Sequence, residues 1–274
     1  MSVLVTGAAS GIGRYFAERF NAAIVTRDRP LAMLGEISEP YDAILHCAFN
    51  MQRDVLPAQI QGYLQDTIGL TEAVVRVPHR AFVVLSSIDV YPVGAGICDE
   101  DTKLDAFAPR NLYALCKMAS EATVARLATN PLILRAGLML GPYMRPNNLT
   151  RMVRGEKAAL TLTSDSSFHC VGYADIAALI DHAMTAGLTG TYNAAFCPAV
   201  TMAEVAARFN CKPIYGTFSY QTPQISNERL RRAFPRFEST SLAAVESFAA
   251  SLAASADTGS LTEAACSSDQ GKQY

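Results

Sequence analysis

The chain has 274 residues, of which 50% are hydrophobic, and its formal net charge is −2. This length and composition allow a full hydrophobic core, and there is no excess of positive charge for nucleic acid or an anionic membrane. The apolar runs, such as residues 81–85, are too short to span a bilayer, and Met1 leads into a strand pattern without a signal peptide. We therefore expect a cytoplasmic protein with no nucleic-acid or membrane partner.

Short apolar runs alternate with amphipathic segments along the chain, a pattern typical of a parallel sheet flanked by helices. The predicted strands are residues 2–6, 22–26, 42–47, 81–86, 131–136 and 191–195, and the predicted helices are 11–21, 57–77, 111–129 and 173–186. The run at 81–85 is apolar throughout, as expected of a parallel strand that is buried on both faces. We therefore predict an α/β fold built on a doubly wound parallel sheet.

A glycine-rich turn joins the first predicted strand to the first predicted helix. Gly7, Gly11 and Gly13 let the backbone turn sharply and approach a diphosphate without a Cβ in the way. The start of the helix then presents unpaired N–H groups to the phosphate oxygens. The pattern predicts a dinucleotide site formed by Gly7, Ser10, Gly11, Ile12 and Gly13.

The end of the second predicted strand bears on the choice of nicotinamide cofactor. Thr26 stands where a carboxylate that selects NAD usually lies, and Arg27 follows it. An arginine can hold a 2′-phosphate through two parallel hydrogen bonds, and Arg14 is a second candidate for this contact. NADP(H) is therefore favoured over NAD(H), although Asp28 keeps NAD open as an alternative.

A serine, a tyrosine and a lysine form a candidate catalytic set. Ser87 follows the predicted strand 81–86, at the end of a parallel strand where ligands bind. Tyr113 and Lys117 are four residues apart in a predicted helix, so both project from one face. A phenol can exchange protons near neutral pH if an ammonium lowers its pKa, and a hydroxyl opposite it can polarise a carbonyl. The set predicts hydride transfer between a nicotinamide and a carbonyl, with Tyr113 as the acid/base.

Together these motifs resemble the extended branch of the short-chain dehydrogenases/reductases, the NAD(P)-dependent epimerase/dehydratase family. The separation of Ser87 and Tyr113, 26 positions (113 − 87), is like that of the extended branch. Further matching segments are His46-Cys47-Ala48, Ser86-Ser87-Ile88-Asp89-Val90-Tyr91, Leu134-Arg135 and Asp175-Ile176-Ala177. The resemblance implies that Ser87 binds the substrate oxygen and that Lys117 lowers the pKa of Tyr113 and holds the nicotinamide ribose. It also implies that His46 and Ala48 lie on the cofactor side.

The same resemblance suggests how the chain is organised. We expect a dinucleotide-binding Rossmann core over residues 1–136, with contributions from about 170–196, and a small interleaved substrate-binding portion over 137–254. Residues 255–274 are rich in Ser, Asp, Gly and Gln without an apolar period, and we expect them to form a disordered tail. The family resemblance also suggests a homodimer formed through the helices at 57–77 and 111–129.

The substrate-binding residues are harder to assign. Asn147 or Asn148 can hold a diphosphate, and Tyr91 is expected either near the nicotinamide or in the core. Where the family has its first diphosphate-binding arginine, this chain has Phe168 or Ser167. Possible substitutes are Arg145, Arg151, Arg154, Arg231 and Arg232. A nucleotide-linked substrate is therefore no better supported than a smaller ketone, sugar acid or polyketide-like carbonyl.

We interpret the chain as an NAD(P)(H)-dependent oxidoreductase that reduces a ketone of a sugar or nucleotide sugar. The enzymatic alternatives are an NAD-retaining sugar epimerase or dehydratase and a reductase or dehydrogenase of a small non-nucleotide carbonyl. A non-catalytic dinucleotide-binding sensor is the alternative of another class, and the tyrosine–lysine pair argues against it. The seven cysteines are widely spaced without a C-x-x-C pair, so no metal site is expected. Glu100 and Asp101 are expected to be a solvated loop pair.

Overall fold

A computed structural model describes residues 1–35, 37–92, 94, 96–155 and 159–267, with side chains described as far as Ala254. The strands in this part of the chain are β1 (Val3–Thr6), β2 (Ala23–Val25), β3 (Ala43–His46), β4 (Phe82–Ser87), β5 (Ile97–Cys98), β6 (Pro131–Ala136), β7 (Leu138–Leu140), β8 (Ser167–Phe168), β9 (Cys170–Gly172), β10 (Gly190–Ala194), β11 (Val200–Thr201) and β12 (Gln224–Ile225). The α-helices are α1 (Gly11–Arg19), α2 (Ile60–Leu64), α3 (Leu70–Val75), α4 (Leu112–Leu127), α5 (Asn148–Val153), α6 (Tyr173–Ala186), α7 (Met202–Arg208), α8 (Glu228–Ala233) and α9 (Ser241–Ser267). A π-helical turn at Gln65–Gly69 joins α2 to α3.

One parallel sheet of six strands forms the centre of the molecule, in the spatial order β2, β1, β3, β4, β6, β10. Strands β1, β3 and β4 are buried along their whole length, as expected of parallel strands covered on both faces. The predicted α/β, Rossmann-like fold is therefore confirmed, and the predicted strands and helices agree with the structure to within a few residues. Between β2 and β3 the described residues form only a 3-10 turn, so β2 is the edge strand.

Alternating side chains of the central strands build a core on each face of the sheet. On one face Leu4 and Ile44 pack in a cluster with Val74 of α3. On the other face Val5 and Leu45 belong to the larger cluster, which includes the side chains of α1 and α6. The sheet is thus held between two layers of helices, and the carboxyl ends of β1, β3 and β4 lie at one edge.

The part of the chain after β6 returns to the main sheet and also builds small sheets beside it. β10 pairs with β6 in the main sheet, whereas β7 pairs with β9 and β8 with β11. β12 pairs with β5, which precedes α4 in the chain, so the later segments interleave with the earlier ones. The division at residue 136 and the substrate-binding role of 137–254 stay predictions.

The C-terminal segment is described only in part. The backbone of α9 extends to Ser267, side chains beyond Ala254 are not described, and residues 268–274 lie outside the described part of the chain. The predicted disorder of 255–274 therefore stays a prediction. Among the residues that the structure describes, no helix is both long and apolar enough to cross a membrane.

Candidate active site

A cavity of about 1390 Å³ extends along the carboxyl ends of the central strands. It exceeds the roughly 300–1,000 Å³ of a pocket for one small ligand, so a dinucleotide and a second ligand can share it. The predicted site residues that line the cavity are Gly7, Ser10, Gly11, Ile12, Gly13, Arg27, Ala48, Ser87, Tyr113, Lys117, Asn147 and Asn148. The structure thus brings most of the predicted site into one space.

The glycine turn after β1 leaves no room for a side chain at Gly7 or Gly13. A Cβ on Gly7 would lie 2.8 Å from the backbone nitrogen of Ala48, and a Cβ on Gly13 would lie 2.3 Å from the carbonyl oxygen of Gly7. Gly7 and Gly11 also have positive φ angles, 73° and 55°. The side chain of Ser10 does not cap α1, so it leaves the first N–H groups of the helix to other acceptors. A backbone cradle at a helix N-terminus fits the diphosphate of a dinucleotide.

The loop after β2 presents both an arginine and an aspartate to the cavity. Arg27 and Asp28 are exposed and line it beside Thr26. A tight turn fixes this loop, because the N–H of Thr26 donates to the carbonyl of Arg29 at 3.0 Å and the N–H of Arg29 donates to Thr26 Oγ1 at 3.1 Å. Arg27 is thus placed for contact with a ligand at this end of the cavity.

Arg14, the second arginine considered for the 2′-phosphate, points elsewhere. Its Nε donates to Glu18 Oε1 at 3.0 Å, and its guanidinium lies 4.0 Å from the ring centroid of Tyr143. Arg14 is not among the described residues that line the cavity. We therefore do not retain it as a cofactor residue.

His46, expected on the cofactor side, is fully engaged within the protein. Nδ1 lies 2.8 Å from Thr6 Oγ1 and Nε2 lies 3.0 Å from Thr71 Oγ1. Burial, followed by the charge of Lys117, lowers the pKa of His46 to about 3, so the ring stays neutral. Thr6 Oγ1 also accepts the N–H of Ala48 at 3.1 Å, so His46 supports the loop that forms the cradle. It does not line the cavity itself.

The lysine of the catalytic set is buried beneath the cavity. Lys117 Nζ donates to the carbonyl of Leu85 at 2.7 Å and lies 3.6 Å from the ring centroid of Phe49. Burial lowers the pKa of Lys117 to about 7, and the nearby Glu121 acts in the opposite direction. The ammonium is therefore only partly charged near neutral pH.

The pKa of the Tyr113 phenol is shifted in the direction opposite to the one expected from the sequence. Burial raises the pKa of Tyr113 to about 12, whereas Lys117 was expected to lower it. The strongest opposing influence is the charge of Arg53, and hydrogen bonding to Ser87 also lowers the pKa. The guanidinium of Arg53 lies 4.1 Å from the ring centroid of Tyr113. The phenol is accordingly protonated near neutral pH.

Arg53 belongs to a polar cluster that the sequence motifs did not indicate. Asp89, whose side chain is 2% exposed, accepts from Arg53 Nη1 at 2.7 Å and from Arg110 Nη1 at 3.3 Å. The hydroxyl of Tyr220 donates to Asp89 at 2.7 Å, and the N–H of Asp89 donates to Ser87 Oγ at 3.2 Å. We call Arg53, Asp89, Arg110 and Tyr220 the Asp89 cluster, and all four line the cavity. The position of Asp89, just after β4, was the one sequence signal, because ligands bind at strand ends.

Tyr91 lies in a second, buried network. It is 1% exposed and is not among the described residues of the cavity wall. Its hydroxyl donates to Asn193 Oδ1 at 2.7 Å and accepts from Arg135 Nη1 at 3.0 Å. Arg135 in turn binds both carboxylate oxygens of Glu121 on α4. We therefore do not retain Tyr91 as a substrate-binding residue.

The expectation of a solvated pair at Glu100 and Asp101 is wrong for Glu100. The side chain of Glu100 is 1% exposed, and its Oε1 accepts the backbone N–H of Asn193 at 2.7 Å. Asp101 is exposed and pairs with Arg229. β10 is an edge strand of the main sheet, so none of the described strands accepts the backbone N–H of Asn193 on its outer side. The buried carboxylate of Glu100 accepts this N–H instead.

The substrate side of the cavity combines aromatic and amide groups. The rings of Phe168 and Tyr220 are stacked with centroids 5.3 Å apart. Asn147 caps α5 by accepting the N–H of Thr150, and Asn148 Oδ1 accepts the N–H of Thr161 at 2.8 Å. Of the five arginines considered for a diphosphate, Arg145 lines the described cavity wall, whereas Arg151, Arg154, Arg231 and Arg232 do not.

The described residues contain no group of three or more His, Cys, Asp or Glu placed to hold a metal ion. Six cysteines have described side chains, and all six are free thiols.

The parallel sheet, the glycine turn and the serine, tyrosine and lysine around one cavity are features of the short-chain dehydrogenases/reductases, which use nicotinamide cofactors. The chain belongs to the NAD dependent epimerase/dehydratase family, whose model matches residues 3–195. This is a family of NAD(P)-dependent epimerases, dehydratases and reductases. A search of the curated proteins finds no match.

Solved structures with the same fold include both reductases and epimerases. A dTDP-4-dehydrorhamnose reductase of Clostridium acetobutylicum aligns with a TM-score of 0.74 at 16% identity, covering 92% of this chain and 99% of that one. The human epimerase family protein SDR39U1, solved with NADPH, aligns with a TM-score of 0.70 at 21% identity, covering 91% and 99%. A UDP-glucuronic acid 4-epimerase of Bacillus cereus, solved with UDP-glucuronic acid and NAD, aligns with a TM-score of 0.67 at 16% identity, covering 92% and 100%.

Proposed function

We propose that the protein is an NADP(H)-dependent reductase of a ketone carried by a sugar or nucleotide sugar. The observation that carries this proposal is the convergence of Ser87, Tyr113 and Lys117 on the cavity that begins at the glycine cradle. The set joins a proton donor and a carbonyl-polarising hydroxyl to a dinucleotide site, and carbonyl reduction needs all three.

The nicotinamide supplies the hydride when it is bound. Ser87 donates a hydrogen bond to the carbonyl oxygen, and Tyr113 gives its proton to the same oxygen. The pKa of Tyr113, raised to about 12 by burial, keeps the phenol protonated near neutral pH, as a proton donor must be before the transfer. Lys117 Nζ uses one of its N–H groups on Leu85, which leaves the others for the nicotinamide ribose.

The proposed preference for NADP(H) depends on the loop after β2. Arg27 lines the cavity there, and Thr26 replaces the carboxylate that would repel a 2′-phosphate. Asp28 lines the same part of the cavity and is the observation in favour of NAD(H). A tightly retained NAD would suit the second candidate function, a sugar epimerase or dehydratase, and some neighbours of this fold are epimerases.

The proposed substrate follows from the wall opposite the cofactor site. Phe168 and Tyr220 line the cavity with aromatic rings, which suit the apolar face of a sugar. Asn147 and Asn148 line it as well, with their Oδ1 atoms used to cap α5 and to accept the N–H of Thr161. Of the five arginines considered for a diphosphate, Arg145 is the one that lines the described cavity wall. Arg53 and Arg110 line it too but are paired with Asp89, so few cationic groups are left for a diphosphate. The keto-sugar itself is therefore the core of the proposal, with or without a nucleotide.

The proposal is tested by incubating the purified protein with NADPH and a panel of keto-sugars, nucleotide-linked keto-sugars and small ketones. We expect the absorbance of the reduced nicotinamide to fall with a sugar ketone and to stay constant without one. Oxidation with small ketones alone would refute the sugar assignment. No oxidation with any ketone, together with NAD that copurifies with the protein, would favour the epimerase.

A further inference from the structure

The ring of the catalytic tyrosine lies closer to an arginine than to the catalytic lysine. The guanidinium carbon of Arg53 is 4.1 Å from the ring centroid of Tyr113, whereas Lys117 Nζ is 5.6 Å from it. The lysine instead lies 3.6 Å from the ring centroid of Phe49 and donates to the carbonyl of Leu85. Arg53 is therefore the nearer cation, on a loop to which the family motifs assign no role.

Asp89 holds the guanidinium in this place. One carboxylate oxygen accepts from Arg53 Nη1 at 2.7 Å, and the other accepts from the hydroxyl of Tyr220 at 2.7 Å and from Arg110 Nη1 at 3.3 Å. A buried carboxylate with donors on both oxygens has little freedom to rotate. The cluster contains two guanidinium groups and one carboxylate, so a net positive charge remains beside Tyr113.

The two cations also differ in how constant their charge is. Arginine stays protonated at every pH at which proteins are folded, whereas burial lowers the pKa of Lys117 to about 7. Above neutral pH the lysine loses its proton, and the charge of Arg53 persists.

We propose that Arg53, held by Asp89, is a positioning residue whose fixed charge stabilises the phenolate of Tyr113. This inference rests on the proposed function, because the phenolate forms when Tyr113 gives its proton to a substrate oxygen. The O–H bond of Tyr113 breaks, the proton joins the carbonyl oxygen as the hydride reaches the carbonyl carbon, and the electron pair stays on the phenol oxygen. The new negative charge then forms on the phenol whose ring the guanidinium faces, and solvent returns the proton afterwards.

The other groups that face the phenol set the size of the effect. Burial raises the pKa of Tyr113, and Arg53 opposes it most strongly. Asp89 and Tyr63 raise the pKa, and hydrogen bonding to Ser87 lowers it. Because Asp89 both raises the pKa and holds Arg53, substitution of Arg53 is the cleaner experiment.

The test is a titration of Tyr113 in the full chain, which needs no substrate. Labelling with 3,5-difluorotyrosine lowers phenol pKa values into a range where the protein stays folded, and fluorine NMR follows each ring. Tyr113→Phe assigns the signal by its loss. We expect Arg53→Met and Arg53→Gln to raise the midpoint of Tyr113 by about one unit or more, and Arg53→Lys to stay near the wild type.

Arg110→Met is the matched control, because it removes one guanidinium from Asp89 that does not lie over the phenol. The shift of the Tyr113 midpoint in Arg110→Met should be less than half of the shift in Arg53→Met. An unchanged midpoint in both uncharged variants, or an equal shift in Arg110→Met, would overturn the inference. Either result leaves the proposed reduction standing, since that is judged by NADPH oxidation with ketones.

Discussion

Lys117 shows how burial couples protonation to stability. Its pKa is about 7 in the folded protein against an ordinary value of 10.5 for a solvated lysine, so between these values the unfolded chain binds a proton that the folded chain does not. Stability must then rise with pH through this window, by about 1.4 kcal/mol per unit. Below about pH 7 Lys117 is protonated in both states, and the loss of stability caused by burying its ammonium reaches its full size.

We predict that Lys117→Met removes this pH dependence. From about pH 7 to about pH 8.5 the wild type should gain about 2 kcal/mol of unfolding free energy relative to the variant. Urea unfolding at the two pH values measures the difference. Lys103→Met, which removes an exposed lysine, should keep the wild-type dependence. A parallel response of wild type and Lys117→Met would show that Lys117 is not destabilised by burial.

Arg27→Ala should weaken NADPH far more than NADH. The lost contact is a charge-assisted hydrogen bond to the 2′-phosphate, and we expect about a tenfold or larger rise in the dissociation constant of NADPH. Fluorescence titration with both nucleotides gives the ratio. Arg29→Ala changes a neighbouring arginine that does not line the described cavity wall, so it serves as the control. Equal weakening of NADPH and NADH by Arg27→Ala would refute the cofactor preference.

At the residue scale, the sequence predicted those cavity-lining residues that belong to motifs of fixed spacing. The glycines, Ser87, Tyr113 and Lys117 follow motifs, because strand ends and helix faces place them without knowledge of distant contacts. Arg53 and Tyr220 could not be found in this way. Their roles depend on meeting Asp89 from segments 36 and 131 residues away.

The packing of α1 on the glycine turn is the element-level feature on which the proposed cofactor binding depends. A Cβ at position 13 would lie 2.3 Å from the backbone oxygen of Gly7, and backbone cannot move aside as a flexible side chain can. We predict that Gly13→Ala abolishes NADPH binding in fluorescence titration and destabilises the fold by about 1–3 kcal/mol.

Gly62→Ala is the matched control for this prediction. Gly62 lies inside α2, and a Cβ there would meet no atom within 4 Å. Alanine is the better helix former by about 1 kcal/mol, so the control should bind NADPH normally and unfold at the same or a higher temperature. NADPH binding retained in Gly13→Ala would contradict the assignment of the cradle.

Elements with a strong local pattern were predictable, and elements made by distant contacts were not. β4 reads as an apolar run because it is buried on both faces, so its sequence predicts it. The pairing of β5 with β12 joins two-residue strands from distant parts of the chain. The π turn at Gln65–Gly69 interrupts a segment that reads as one continuous helix, and the helical pattern carries no sign of the interruption.

At the scale of the whole molecule, a homodimer through the predicted helices 57–77 and 111–129 stays a prediction. Ile60 and Leu64 of α2 are 40% and 36% exposed and four residues apart, on one helical face, and Leu56, before the helix, is 63% exposed. Light scattering should give twice the mass of one chain, and Ile60→Glu with Leu64→Glu should give a monomer. A monomeric wild type would remove the prediction.

The proposed reduction is tested most directly by the rate of NADPH oxidation in Tyr113→Phe with the best ketone of the panel. Removing the general acid should lower the rate by about 10²- to 10⁴-fold while NADPH binding is retained. Tyr41→Phe, which alters a tyrosine at the opposite end of β3, should keep the wild-type rate. Full activity in Tyr113→Phe would contradict the assignment of Tyr113 as the group that gives its proton to the substrate.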